Sequence, residues 1–270
     1  MLELYHHGSS VCAAKVRFAL AEKGVVPDEM HYIDILKGEQ FDPGYLKINP
    51  KAVVPALVHD GNIINESTVI CEYVNDAFDG ASLVPDDPLA RARMRIWEKA
   101  VDEQLHPACG ELTFVSCHRH IVMRLGEEKL REFLSSTPDQ SVTSTWKKRK
   151  QEIVRLGFEA PGIEDTIRMY DGYLFKMEAA LKQHEWLAGE TFSLADIALT
   201  PYVNRLDMLN MSGMWTDGRL PHVEAWFNRI KSMESFAPAF LEWCPEELTN
   251  DLKTFGAQSW PDVKRIIGMN

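Results

Sequence analysis

Three side chains in the first dozen residues are of types that do nucleophilic chemistry: Ser9, Ser10 and Cys12, in the string Tyr5-His6-His7-Gly8-Ser9-Ser10-Val11-Cys12. A short alternating segment precedes them and a helical pattern follows. They therefore fall at the C-terminal end of a strand and the N-terminus of a helix, where open parallel sheets hold ligands. A serine there also caps the helix, its oxygen accepting an orphan backbone N–H. Cys12 stands where a redox dithiol motif would carry its second cysteine, with Ser9 in place of the first. A helix N-terminus lowers a thiol's pKa, so Cys12 reads either as a reactive thiol or as a residue packing the first helical turn.

A second constellation is Val54-Pro55 with Glu66-Ser67 downstream. Pro55 precedes a short apolar strand pattern, and a proline's missing N–H would leave a gap in a central ladder. A cis Val54-Pro55 bond, which lies only about 0.5–1 kcal/mol above trans at X-Pro, turns the Val54 backbone outward. Its N–H and C=O are then free to pair with an extended peptide. Glu66-Ser67 opens a helix whose free N–H groups and positive dipole end suit a carboxylate. Together they predict a site for a peptide with an anionic head. His6-His7 and Cys117-His118-Arg119-His120 are metal-ligand types, but neither cluster has a second pair at ligand spacing. Zinc needs three or four convergent ligands, so no metal site is predicted.

The elements that must position these groups follow from periodicity. Residues 2–5 and 29–33 read as strands, 10–23 as a helix stopped by Gly24, and 40–47 as a shorter helix. A strand–helix–strand unit of this length makes the two strands parallel. Residues 56–59 and 62–64 form a hairpin about Asp60-Gly61, a strong turn signal, and 67–78 a further helix. This order is that of a thioredoxin-like domain over residues 1–79, followed by a turn-rich linker at 80–88. Beyond it the patterns are helical, at 89–115, 126–134, 163–182 and from Ser193-Leu194-Ala195-Asp196, a capping-box-like start with Asp in place of Glu. The fold class is α/β plus all-α, with a helical domain over 89–245 and an extension at 246–270 whose apolar residues predict docking. Residues 135–145 read as a polar connector, and Lys147-Lys148-Arg149-Lys150 as a solvated helix face.

A net charge of -11 argues against a nucleic-acid surface or an anionic membrane as partner. No apolar run approaches the roughly 18 residues of a membrane helix. The five cysteines, an odd number with no C-x-x-C pair, point to neither a disulfide framework nor a structural zinc site and predict a reducing, cytoplasmic setting.

The combined strings resemble the glutathione transferase superfamily, in which a Val-Pro followed by Glu-Ser carries the peptide-binding half. Ile48-Asn49-Pro50, Val54-Pro55-Ala56-Leu57, Glu66-Ser67-Thr68-Val69-Ile70-Cys71-Glu72-Tyr73 and Arg91-x-x-Met94-Arg95-x-Trp97 are, more narrowly, similar to the bacterial lignin β-etherase group. The resemblance implies glutathione as cosubstrate, with Ser10, or Ser9 next to it, donating its hydroxyl to the sulfur. It assigns Gln40 and Lys51 to the glycyl carboxylate, the Val54 backbone beside Pro55 to the peptide, and Glu66 with Ser67 to the γ-glutamyl end. It also implies a hydrophobic aromatic electrophile, lignin degradation as the setting, and a homodimer or a heterodimer with a related subunit. Two departures stand out. Ala52 occupies a position where related enzymes often carry histidine, and the Ser9-Ser10-Val11-Cys12 turn does not follow the β-etherase pattern. Other readings stay open: a transferase or isomerase acting on another electrophile, a glutaredoxin-like thiol transferase using Cys12, and a non-catalytic association domain.

A hydroxyl bonded to a thiolate contributes about 1.5–3 kcal/mol, or roughly one to two pKa units. Two units raise the thiolate fraction about 25-fold at pH 7, and the lost nucleophilicity removes about six- to ten-fold of that. The net gain is a few-fold. Most of the rate enhancement must come from holding sulfur and electrophile together.

Overall fold

The computed structural model describes residues 1–135 and 144–269, so most of the connector read at 135–145 lies outside the described residues. The chain opens with β1 (Leu2–His6), α1 (Val11–Glu22), β2 (Glu29–Tyr32), α2 (Pro43–Ile48), β3 (Ala56–His59), β4 (Asn62–Asn65) and α3 (Ser67–Ala77). The strands form one sheet in the order β2-β1-β3-β4. The α1 crossover makes β1 and β2 parallel, and β3 runs antiparallel to both β1 and β4. Asp60 (φ 49°) and Gly61 (φ 78°) are both left-handed, as a two-residue turn compatible with strand twist requires. The short helix read at 40–47 is split. A 3₁₀ turn, Glu39–Phe41, precedes α2, and Asp42 caps α2 by accepting the Gly44 N–H at 2.7 Å. Pro43 suits a first helical position and would break an interior.

The remaining helices are α4 (Pro88–Ala100), α5 (His106–Thr113), α6 (Arg119–Met123), α7 (Glu127–Ser135), α8 (Ser144–Leu156), α9 (Ile163–Leu181), α10 (Leu194–Met208), α11 (Pro221–Lys231) and α12 (Glu246–Ile266). The helix read at 89–115 runs on through α6, with π-helical turns at Val101–Leu105 and Phe114–His118. The first lies just ahead of Pro107, whose missing N–H interrupts the ladder in any case. The capping box at Ser193 is present: Ser193 Oγ accepts the Ala195 N–H at 3.3 Å, and Asp196 accepts the Ser193 N–H at 3.1 Å. Asp196 also accepts from Leu187 N–H (3.1 Å) and Trp226 Nε1–H (2.9 Å).

One apolar core runs through both halves. Helix α1 lies between α3 and α10 and is buried on almost every side, Lys15 and Arg17 included. The basic run is not a solvated face. Of its four residues only Lys148 is exposed, and Arg149 forks onto Glu111 at 2.8 and 2.9 Å. The α8 helix packs against the rest of the helical domain, so its charges meet partners there. The tail docks as its apolar pattern predicts. Gly256 of α12 lets the helix approach the Leu209 carbonyl, to within 2.0 Å of where a Cβ would sit.

Candidate active site

Two buried arginines hold the turn that carries Ser9, Ser10 and Cys12. Arg17 donates to the carbonyls of His7 and Gly8, each at 3.3 Å, and to that of Ala239 at 2.8 Å. Arg205 on α10 donates to the Ser9 carbonyl. Three consecutive carbonyls are thereby fixed, and Ser10 is the next residue. Only glycine fits at position 8, because a Cβ there would lie 1.9 Å from the Trp243 carbonyl oxygen. The chain ahead of α12 thus braces the same turn.

Ser9 and Ser10, which the sequence leaves open, sit in different surroundings. Ser9 is buried, with Oγ 3.1 Å from His7 Nδ1 and its backbone N–H 3.3 Å from the same nitrogen. A backbone N–H can only donate, so Nδ1 accepts, and the Ser9 hydroxyl spends its proton there. Burial pushes the His7 imidazole down to about 4, Arg205 and Arg17 adding to it against Asp34, so the ring is neutral at pH 7. Ser10 caps α1, its Oγ accepting the Ala13 N–H at 3.2 Å. Capping uses an oxygen lone pair and leaves the hydroxyl proton free to donate. The bland and the chemical readings of Ser10 are therefore compatible.

Cys12 is half-buried, its Sγ 3.5 Å from His106 Nδ1 on α5. The Tyr202 hydroxyl of α10 lies 3.3 Å from the same nitrogen. Burial pushes the Cys12 thiol up, but His106, with Lys15 and Ser67 behind it, more than reverses this and brings it to about 6. In turn Cys12 holds the His106 pKa above its ordinary value, against burial. His106 is open to solvent.

The peptide-binding candidates come together in part. The Val54-Pro55 bond is cis. Tyr45 OH (2.6 Å) and Asn49 Nδ2 (2.8 Å) both donate to the Val53 carbonyl just ahead of it. Among the described residues the Val54 N–H and C=O have no protein partner. Lys51 and Glu66 are exposed and paired with each other, and Glu66 (φ 70°) leads into α3, whose first residue is Ser67. Gln40 stands apart. Its Nε2 donates to the Ile35 carbonyl at 3.3 Å, and its Oε1 is buried without a partner among the described residues.

Sequence profiles for the glutathione S-transferase N-terminal and C-terminal domains match residues 9–77 and 165–234. Protein LigF of Sphingobium sp. strain SYK-6 is 31% identical over 256 residues, spanning 92% of this chain and 96% of that protein. The chain belongs to the glutathione S-transferase family. The crystal structure of the β-etherase LigF superimposes with a TM-score of 0.78, covering 88% of this chain and 98% of that one. The tetrachloro-p-hydroquinone reductive dehalogenase of Sphingobium chlorophenolicum is 28% identical over 250 residues, spanning 88% and 95% of the two chains. Glutathione is the cosubstrate of this family.

In this transferase three aromatic residues of the helical domain are engaged in its own packing. Phe114 and Tyr173 are buried, and Trp260 packs its ring against Gly213. Of the α5 residues sharing a face with His106, Cys109 and Thr113 are buried and Gly110 faces Trp146. A hollow of about 820 Å³ beside α2, lined by Tyr5, Phe41, Tyr45 and Ile48, touches none of the predicted site residues. Sequence reasoning missed Arg17, Arg205 and the Ser9–His7 bond. The available signal was an arginine inside each of two largely apolar helices, since charged residues are rarely buried without a partner.

Proposed function

We propose that this glutathione S-transferase cleaves β-aryl ether bonds of lignin-derived aromatic ketones, releasing a phenol and leaving a glutathione thioether. The observation that carries the reading is the likeness to the β-etherase LigF across both domains. Charge supports a neutral substrate. Of the cations about the Cys12–His106 pair, Lys15 is buried and bonded to Thr68 (2.7 Å), and Arg205 is buried under Ser9. A small dicarboxylate would need exposed cations instead.

In the scheme, Ser10 donates its hydroxyl proton to the glutathione sulfur while Ser9 stays bonded to His7. The Val54 backbone pairs with the tripeptide. The γ-glutamyl carboxylate sits at the N-terminus of α3 beside Ser67, where free N–H groups and the helix dipole favour an anion. Glu66 takes the γ-glutamyl ammonium, and Lys51 with Gln40 the glycyl carboxylate. Glutathione's two ends are far apart when extended, so the Lys51–Glu66 pair opens on binding. Exposed ion pairs contribute about 0–1 kcal/mol, so opening is easy. The thiolate then attacks the carbon that bears the aryloxy group, next to the carbonyl. The S–C bond forms, the C–O bond breaks, and the electron pair departs on the phenoxide, which takes a proton.

The test is a fluorogenic aryl ether ketone incubated with enzyme and glutathione. Glutathione-dependent phenol release, with a thioether product by mass spectrometry, is expected. Glutathione binding without release would sink the ether and leave a transferase for another electrophile.

A further inference from the structure

Three convergent ligands, the requirement that the adjacent histidines of the sequence do not meet, come together on the sheet. Side chains alternate along a strand, so Glu3 and Tyr5 share one side of β1 while Leu2 and Leu4 enter the core on the other. The parallel register sets Glu29 beside Glu3 and His31 beside Tyr5. His31 Nε2 lies 2.9 Å from Glu3 Oε2 and 3.4 Å from Glu29 Oε2, and the three ligand atoms all lie within 4.8 Å of one another. A tetrahedral zinc ion with bonds of about 2.1 Å spaces its ligand atoms about 3.4 Å apart, within about 0.5 Å of both measured spacings. Like charges set opposite each other on neighbouring strands are destabilising, and among the described residues neither carboxylate pairs with a lysine or arginine. An independent contact holds the imidazole and one carboxylate in place. The Tyr5 ring stacks on His31, centroids 4.3 Å and planes 19° apart, and its hydroxyl donates to Glu3 Oε2 at 3.2 Å. Metal ligands are oriented by such outer contacts. Burial, followed by Glu3, pushes the Tyr5 hydroxyl up, so it keeps the proton it donates.

We infer that His31, Glu3 and Glu29 bind one divalent first-row transition ion such as zinc, which clips the edge strand β2 to β1. One imidazole and two carboxylates suit zinc, cobalt or nickel, whereas magnesium and calcium prefer oxygen ligands throughout. Glu3 is the most enclosed of the three and Glu29 the most exposed, so the ion has a way in and water completes its coordination. Glu3 accepts the hydrogen bond from His31 Nε2, so that nitrogen carries a proton. On binding, the proton moves to Nδ1 or to solvent, and the imidazole ligates as the neutral base. The clip has a mechanical use. Strand β2 stands at the edge of the sheet and pairs with β1 alone, and β1 runs directly into the turn that carries Ser9 and Ser10. The site is separate from the glutathione contacts and does not depend on them.

The test titrates the full chain, freed of metal by EDTA, with cobalt(II) chloride by visible absorbance and with zinc chloride by calorimetry. One ion per chain is expected, with the strong visible bands of four-coordinate cobalt. His31→Gln should abolish those bands. Glu29→Gln alters the most exposed ligand, where folding is not at stake, and should weaken zinc binding at least about ten-fold, as should Tyr5→Phe, which keeps all three ligands and removes only the outer hydrogen bond. Zinc should also raise the melting temperature of the wild type, EDTA should reverse the rise, and His31→Gln should show none. Circular dichroism melting without metal confirms that each variant is folded. A folded wild type with no stoichiometric site overturns the inference and leaves His31 as a hydrogen-bond bridge between two carboxylates. Binding that persists in His31→Gln with a thiolate-to-cobalt charge-transfer band puts the ion at a cysteine and overturns it equally.

Discussion

The peptide half and the helical half of this transferase contribute to the site by opposite means. In the first, the working groups are set by local backbone geometry: the cis Val54-Pro55 bond and the left-handed residues Ala52 and Glu66. In the second, groups distant in sequence reach onto the first half's turn. Arg205 holds the Ser9 carbonyl, His106 meets Cys12, and the Trp243 carbonyl presses on Gly8. The difference teaches that the proposed ligand contacts are short-range, whereas the precision of the proposed catalytic turn comes from across the molecule.

The largest expected effect is at the point where the halves touch. Gly8→Ala places a Cβ 1.9 Å from the Trp243 carbonyl oxygen. Backbone cannot swing aside as a side chain can, so stability should fall by about 3 kcal/mol or more. Denaturant unfolding measures this, and a near-neutral variant would break the claim that the chain ahead of α12 braces the turn.

Next comes the seam at Glu98, buried on α4. Burial, followed by Glu72, pushes its carboxyl up to about 8. The folded state therefore holds a proton that the unfolded state releases near the ordinary carboxylate value. The stabilisation is full below about pH 4.3 and is lost as pH rises through about 8. The limiting slope is about 1.4 kcal/mol per pH unit. Glu98→Gln should flatten the curve of stability against pH over that window, and an unchanged slope would assign it to other groups.

A smaller effect separates positioning from stability. Arg205 is buried, with Nε and Nη1 unpartnered among the described residues. Replacing an incompletely satisfied buried charge by an apolar side chain is often close to neutral. Arg205→Met should therefore change stability little, yet lower kcat about ten-fold, or about 1.4 kcal/mol, by freeing the Ser9 carbonyl. A proportionate loss of both would make Arg205 a structural residue only. The smallest effect is at Lys51. Because its partner Glu66 shares an exposed pair, Lys51→Ala should raise the glutathione KM by a few-fold, about 1 kcal/mol or less, and leave kcat alone.

The same contrast explains what was legible in the sequence. The sheet, its parallel pair, the hairpin at Asp60-Gly61, the cis proline and the capping box at Ser193 each rest on neighbouring residues, and all appear in the structure. The division between Ser9 and Ser10 was not legible, because it depends on the tautomer of His7 and on an arginine 196 residues away. The basic run in α8 was misread for a similar reason: its partner Glu111 lies 38 residues upstream on another helix. Periodicity reports which face of a helix is apolar, and says nothing about which distant charge meets it.

The most direct test of the account is the ionisation of enzyme-bound glutathione, followed by thiolate ultraviolet absorbance against pH in wild type, Ser10→Ala and Ser9→Ala. If Ser10 alone has a proton to give, Ser10→Ala raises the midpoint by about one to two units, and Ser9→Ala leaves it in place. A midpoint that moves with Ser9 and not with Ser10 would contradict the account.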